Sequence, residues 1–114
     1  MLSTCITNIS VKPGQVGGVL RIVERDLLPR YRELPGFVAF TVAKTGDTSA
    51  IAFSLWQTHE QAEHYSQSSE SGLYASARQE VHSIHNHVGD LPFLAVMADL
   101  KSYASTVPVG SRPV

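Results

Sequence analysis

Hydrophobic and polar positions alternate with a period of two over residues 34 to 58, LPGFVAFTVAKTGDTSAIAFSLWQT, on either side of a polar interruption. Val38, Phe40 and Val42 alternate with Phe37, Ala39, Thr41 and Ala43, and then Ile51, Phe53 and Leu55 with Ala50, Ala52, Ser54 and Trp56. Successive side chains of a strand point to opposite faces, so this pattern predicts two antiparallel strands. Thr45-Gly46-Asp47-Thr48 supplies a glycine able to take positive φ and an aspartate able to bond its own backbone, the chemistry of a tight hairpin. Cys5, Thr7, Ile9 and Val11 alternate with Ile6, Asn8 and Ser10, predicting an earlier strand that Pro13-Gly14 ends.

Between these strands the period changes. Val16, Leu20, Val23, Leu27, Tyr31 and Leu34 recur at three- and four-residue steps, which predicts an amphipathic helix. Gly17 and Gly18 weaken its first turns, and Pro29, lacking a backbone donor, is expected to bend or end the regular helix there, with a kink around Leu28. After Trp56, Thr58 and Gln61 have the spacing of a capping box, with Ala62 and Tyr65 on one side of a short helix. The serine-rich run 66 to 71 predicts a break. Leu73, Ala77, Val81, Ile84 and Val88 then predict a second helical piece, which Gly89-Asp90 stops, and residues 92 to 100, PFLAVMADL, a fourth strand.

The resulting order, β-α-β-β-α-β, predicts an α+β, ferredoxin-like domain: one antiparallel sheet with both helices on one face. The 114 residues fit one core, expected over 1–101, with a polar and proline-containing tail over 102–114 that is mobile or lies on a partner. Strand parity places Phe40, Ile51, Phe53 and Leu55 under the helices, against Leu20, Val23, Leu27, Leu73, Ala77 and Val81, and turns Phe37 and Trp56 to the uncovered face. An apolar uncovered face calls for a partner, and a second copy, giving a homodimer, is the economical one.

Composition narrows the partners. A formal net charge of -1 offers no footprint for nucleic acid or an anionic membrane, and no apolar run approaches the roughly 20 residues of a membrane span. The single cysteine, Cys5, cannot form an internal disulfide, and residues 1 to 10 lack the pattern of a secretory signal, so a cytoplasmic protein is expected.

Leu34-Pro35-Gly36-Phe37, the hairpin after it and Ser54 to His64, SLWQTHEQAEH, resemble the antibiotic biosynthesis monooxygenase (ABM) type of dimeric α/β barrel over roughly residues 4 to 100. The resemblance implies that fold, a homodimer, and one of several activities. Cofactor-independent oxygenation of a small aromatic, such as a phenol, quinol or polyketide, needs only an apolar pocket, a base or hydrogen-bond partner and exclusion of water. No flavin or metal motif is required, so no cofactor and no metal are expected. The alternative is a non-catalytic ligand-binding or interaction protein on the same barrel. The haem-degrading branch implies an asparagine on the first strand, an aromatic after the tryptophan motif and a histidine ten residues beyond it. Asn8 and Tyr65 fall at or near the first two places, but Ala75 stands where the histidine belongs, which disfavours haem degradation.

The candidate catalytic residues are therefore His64, Tyr65 and Asn8, with Trp56, Tyr74 and Phe53 for substrate contact. A cleft is expected beside Pro29 and the run 66 to 71, with polar contacts from Asn8, His64, Tyr65 and Tyr74. Each has an ordinary counterpart: Trp56, Tyr65, Tyr31 and Tyr74 serve equally as core or interface aromatics, and His64 as a polar helix residue. His82, His85 and His87 form H-x-x-H-x-H, yet on a helix His82 and His85 would share a solvated face with Arg78, which repels a cation. Cys5 reads as a small hydrophobe.

Overall fold

The computed structural model describes residues 1–95, apart from the side chains of Glu70 and Ser71. Strands β1 (Ser3–Val11), β2 (Phe37–Gly46), β3 (Ser49–Trp56) and β4 (Val81–Asp90) form one antiparallel sheet in the order β2-β3-β1-β4. Between β1 and β2 run helix α1 (Val16–Ile22), a π-helical turn (Val23–Leu27) and helix α2 (Leu28–Arg32), while α3 (His59–Ala77) joins β3 to β4. Val19, Leu20, Val23, Leu27 and Tyr31 from the first helical segment and Ala62, Tyr65, Leu73 and Ala77 from α3 share one core with the sheet. Among the described residues the other sheet face carries no helix. This is the expected α+β, ferredoxin-like arrangement.

Two details differ at the helices. Pro29 does not end the first helix, because the turn before it is wider than an α-turn. The Leu28 N–H donates to the Val23 carbonyl five residues back, which relieves the clash a proline ring makes with an α-helical carbonyl. Nor does the serine run 66 to 71 break α3. Ala62, Tyr65, Ser69, Leu73 and Ala77 are spaced by three and four and are all buried, so Ser69 is a polar link in an otherwise apolar stripe. Thr58 caps α3 as expected: its Oγ1 accepts from Gln61 N at 3.2 Å and its N donates to Gln61 Oε1 at 3.1 Å.

The fourth strand is β4, Val81–Asp90, and not the expected run 92 to 100. Val81, Ile84 and Val88 mimic a helical stripe only because of a bulge: Val81 pairs with Val11 and Ser83 with Ser10, leaving His82 as the extra residue. Residues 92 to 95 form no strand, and 96 to 100 lie outside the described residues, as does the expected tail 102–114.

The parity of β3 is also the reverse of that expected. Ala50, Ala52, Ser54 and Trp56 face the helices, and Trp56 is 0% exposed, whereas Ile51, Phe53 and Leu55 lie on the uncovered face with Phe53 36% exposed. Burying an aromatic of this size removes roughly 150–250 Å² from water, about 4–6 kcal/mol. Small neighbours on the same face leave room for the helices' own aromatics. On β2 a bulge at Val38 breaks strict alternation: Phe37 pairs with Trp56 but Ala39 with Leu55, so Phe37 and Phe40 both face inward. Phe40 is therefore where parity put it, and Phe37 is not.

The hairpin turns at Asp47-Thr48 without positive φ at Gly46, a register shift between Lys44 and Gly46 making up the geometry. Positive φ occurs instead at Gly14 and Gly36. In Leu34-Pro35-Gly36-Phe37, Phe37 N donates to Leu34 O at 3.3 Å and Gly36 has φ +84, the features of a type II turn. Gly36 O also accepts from Gln57 N at 2.9 Å, and a Cβ on Gly36 would fall inside the Gln61 carboxamide that closes the capping box. Gly36→Ala combines left-handed strain with loss of that cap, so a destabilisation of about 2–3 kcal/mol is expected in urea denaturation. Gly14→Ala, with no atom near the added methyl, should lose only the strain part.

Candidate active site

Trp56, at the end of β3, lies against Tyr65 of α3 with ring centroids 4.9 Å apart, and Tyr65 meets Tyr31 edge-on, also at 4.9 Å. Tyr31 in turn touches Phe40 at 5.8 Å. This aromatic row crosses the layer between helices and sheet because each helix delivers one tyrosine inward at its buried stripe. Beside it lies a cavity of about 20 Å³ lined by Thr7, Ile9, Val23, Tyr31, Phe40, Val42, Ala52, Tyr65, Ser69, Leu73 and Ile84. Its outer wall, at Phe40 and Val42 of the edge strand β2, is only half-buried.

A chain of hydroxyls and amides surrounds it. The indole Nε1 of Trp56 donates to Ser54 Oγ at 2.9 Å, and Ser54 Oγ to the Cys5 carbonyl at 3.4 Å. On the other side Thr7 Oγ1 donates to Asn86 Oδ1 at 2.7 Å, and Asn86 Nδ2 donates to Ser66 O at 2.9 Å and Ser69 Oγ at 3.4 Å. Ser54 and Ser69 both hydrogen-bond the Tyr65 phenol, which is itself bonded to that of Tyr31. Burial holds both phenols neutral: desolvation pushes Tyr31 up to about 12, and raises Tyr65 further, with Tyr31 beside it adding to the effect. Desolvation likewise raises the Cys5 thiol, which is fully buried. These groups act as hydrogen-bond donors at neutral pH and not as bases.

Of the residues expected from the sequence, Tyr65 lines the cavity and Trp56 packs against it. Asn8 and Phe53 are on the opposite, uncovered sheet face, Asn8 paired across the strands with Ile51 and His85. Here one residue of register decides: the inward position is Thr7. His64 is exposed on α3, and Tyr74 is half-buried at the core's margin without lining the cavity. The expected cleft by Pro29 is an open surface depression of about 420 Å³ walled by Glu24, Leu28, Pro29, Arg32 and Glu33, and none of the four expected polar residues reaches it. His82, His85 and His87 are exposed on a strand, not a helix, and among the described residues no three His, Cys, Asp or Glu groups converge as a metal site. Sequence reasoning missed Thr7, Ser69 and Asn86. Tyr31 was visible in the helical stripe, and Ser69 would have emerged had that of α3 been extended through position 69.

This α+β, ferredoxin-like fold is shared with solved structures at low sequence identity. No family model and no curated relative matches the chain. Among solved structures it is similar to SnoaB of Streptomyces nogalater, a cofactor-independent oxygenase, at 16% identity with a TM-score of 0.64, covering 82% of this chain and 95% of that one. It is also similar to the ActVA-Orf6 monooxygenase of Streptomyces coelicolor in complex with nanaomycin D, at 13% identity and a TM-score of 0.61, over 84% of this chain and 92% of that one. A Nitrosomonas europaea protein of unknown function matches at 18% identity with a TM-score of 0.69, over 85% of this chain and 95% of that one. The likeness establishes the shared fold.

The raised phenols make stability pH-dependent. Between the ordinary tyrosine value near 10 and about 12, the unfolded chain has lost protons that folded Tyr31 and Tyr65 still hold, so unfolding becomes easier as pH rises. Below that window the contribution is fully present. Urea titrations at successive pH values should show stability falling by about 1.4 kcal/mol per pH unit for each phenol. Tyr31→Phe and Tyr65→Phe should each flatten the slope, and an unchanged slope in both would show that neither phenol is held neutral.

Proposed function

We propose that the chain is a cofactor-independent monooxygenase of a small, electron-rich aromatic such as a phenol, quinol or polyketide-like ring, acting in the space between helices and sheet. The observation that carries this reading is the pair of buried, neutral phenols, Tyr31 and Tyr65, aimed at an apolar cavity. Held neutral, they can exchange their present hydrogen bonds for donation to an aromatic oxyanion, whose full charge makes the exchange favourable where a neutral water would not, stabilising the ionised substrate that gives an electron to dioxygen. For a substrate RH₂ the overall change is RH₂ + O₂ → R=O + H₂O: the substrate's CH₂ carbon is oxidised by four electrons to C=O, one oxygen atom is kept there, and the other leaves as water with the two hydrogens. The activities of SnoaB and ActVA-Orf6 on this fold support the reading.

The ring must first gain room, since 20 Å³ does not hold one. The half-buried wall at Phe40, between edge strand β2 and the first helix, is the place to open. Neither His64 nor Asn8 has a part in this scheme. The substrate's own ionisation supplies the anion.

Metal-free protein incubated with a panel of quinols in air should consume oxygen in proportion to protein and with chelator present. Tyr65→Phe should lower kcat by about 100-fold, the loss of one donor to an oxyanion. The pH profile of kcat/KM should rise and level at the substrate's hydroxyl pKa, moving when the substrate is changed. Saturable binding without oxygen uptake would instead favour the ligand-binding alternative.

The uncovered face belongs to the same proposal. It carries Ile6, Ile51, Phe53 and Leu55, with Asn8, His85 and His87 towards the β4 edge. Four strands about 4.8 Å apart and about eight residues long present about 500 Å² each, so two copies face to face bury about 1,000 Å², the lower bound for a specific interface. Sedimentation should show a dimer at micromolar concentration that Phe53→Glu converts to monomer; a wild-type monomer would refute it.

A further inference from the structure

Building on that reading, we propose that the small cavity beside Tyr31 and Tyr65 is a dry pocket for a diatomic apolar gas, dioxygen, and not a water site. Its volume, about 20 Å³, exceeds the roughly 10–15 Å³ that one water-sized molecule needs and is far below that of an aromatic ring. Size alone therefore leaves water and small gases as guests, and the walls choose between them.

A buried water is kept by two to four polar groups that lack other partners. Here the polar groups are already committed. Thr7 Oγ1 donates to Asn86 at 2.7 Å, Asn86 spends its amide on Ser66 and Ser69, and the two phenols bond each other. Among the described residues no buried side-chain nitrogen or oxygen is without a hydrogen-bond partner. Most of the remaining wall is hydrocarbon from Ile9, Val42, Ala52, Leu73 and Ile84. A water placed there would have to break existing bonds to form its own, while dioxygen loses almost no hydration on entering. The pocket adjoins the phenols, so gas held in it sits where a ring admitted past Phe40 would meet it.

Xenon is the probe. Wild-type crystals pressurised with xenon should show an electron-density peak in van der Waals contact with Ile9, Ala52 and Leu73. An ordered water with two or more hydrogen bonds in that space, or no xenon peak there, would overturn the proposal. Ala52→Val projects two methyl groups towards the cavity and should abolish the xenon peak. With an active quinol, that variant should raise KM for oxygen by about tenfold while the quinol KM stays within about twofold. An unchanged oxygen KM would also overturn it. If Ala52→Val does not fold, wild-type xenon binding decides alone, and if no quinol is turned over the oxygenase reading fails while the xenon result still decides the nature of the pocket.

Discussion

Everything in the layer between sheet and helices depends on how small the inward side of β3 is. Ala50, Ala52 and Ser54 precede Trp56 on that face, so the strand next to the sheet's centre offers a low floor ending in one tall side chain. Tyr65 and Tyr31 fill the height left above the floor, and Trp56 closes the row at one end. Larger residues there would hold the helices off and separate the tyrosines. Ile51, Phe53 and Leu55 consequently lie on the other side, which turns a packing solution on one face into an apolar surface on the other.

The hydroxyl chain is the second consequence of that floor. With no bulky side chain over Ser54, its oxygen can accept a hydrogen bond from the Trp56 indole N–H and meet Tyr65. Asn86 does the equivalent work on the far side, joining β1 to the middle of α3 through Thr7, Ser66 and Ser69. Net contributions of about 1 kcal/mol are ordinary for such bonds, but leaving one partner bare in a buried place costs more than making the bond returns. The network therefore sets the positions of its members more strongly than it adds to stability. Burial is what keeps the two phenols protonated, since the hydrogen bonds they receive pull the other way.

Much of this was legible in the chain. The Thr58 and Gln61 spacing read directly as a cap, the hairpin as two alternating runs, and the stripe through Tyr31 as a buried helical face. What misled was polarity at buried positions and extra residues in strands. Ser69 looks like an interruption until Asn86 is seen to satisfy it, and nothing local in the sequence joins positions 69 and 86. His82 inserts one residue into β4, so Val81, Ile84 and Val88 take on the spacing of a helix; Val38 does the same to β2 and places two phenylalanines on one face. In β3 the alternation was correct, but both halves were apolar enough that hydrophobicity gave no sign, and size was the discriminating property. Asn8 failed for the narrowest reason, since its neighbour Thr7 holds the inward place.

The π-helical turn makes the first helix a counting device. Residues 23 to 27 hold one residue more than an α-turn would use, and Val23, Leu27 and Tyr31 all reach the core across it. An α-helix advances about 100° per residue, and a π-turn absorbs its extra residue without passing that rotation to its flanks, so deleting one residue there would close the helix regularly with Val16, Val19, Leu20 and Tyr31 still facing the sheet. Deleting one from the regular helix on either side would instead swing Val16, Val19 and Leu20 off the sheet while Tyr31 stayed. The turn is thus the one stretch of this helix where the chain can shorten by a residue and keep its inward tyrosine in place.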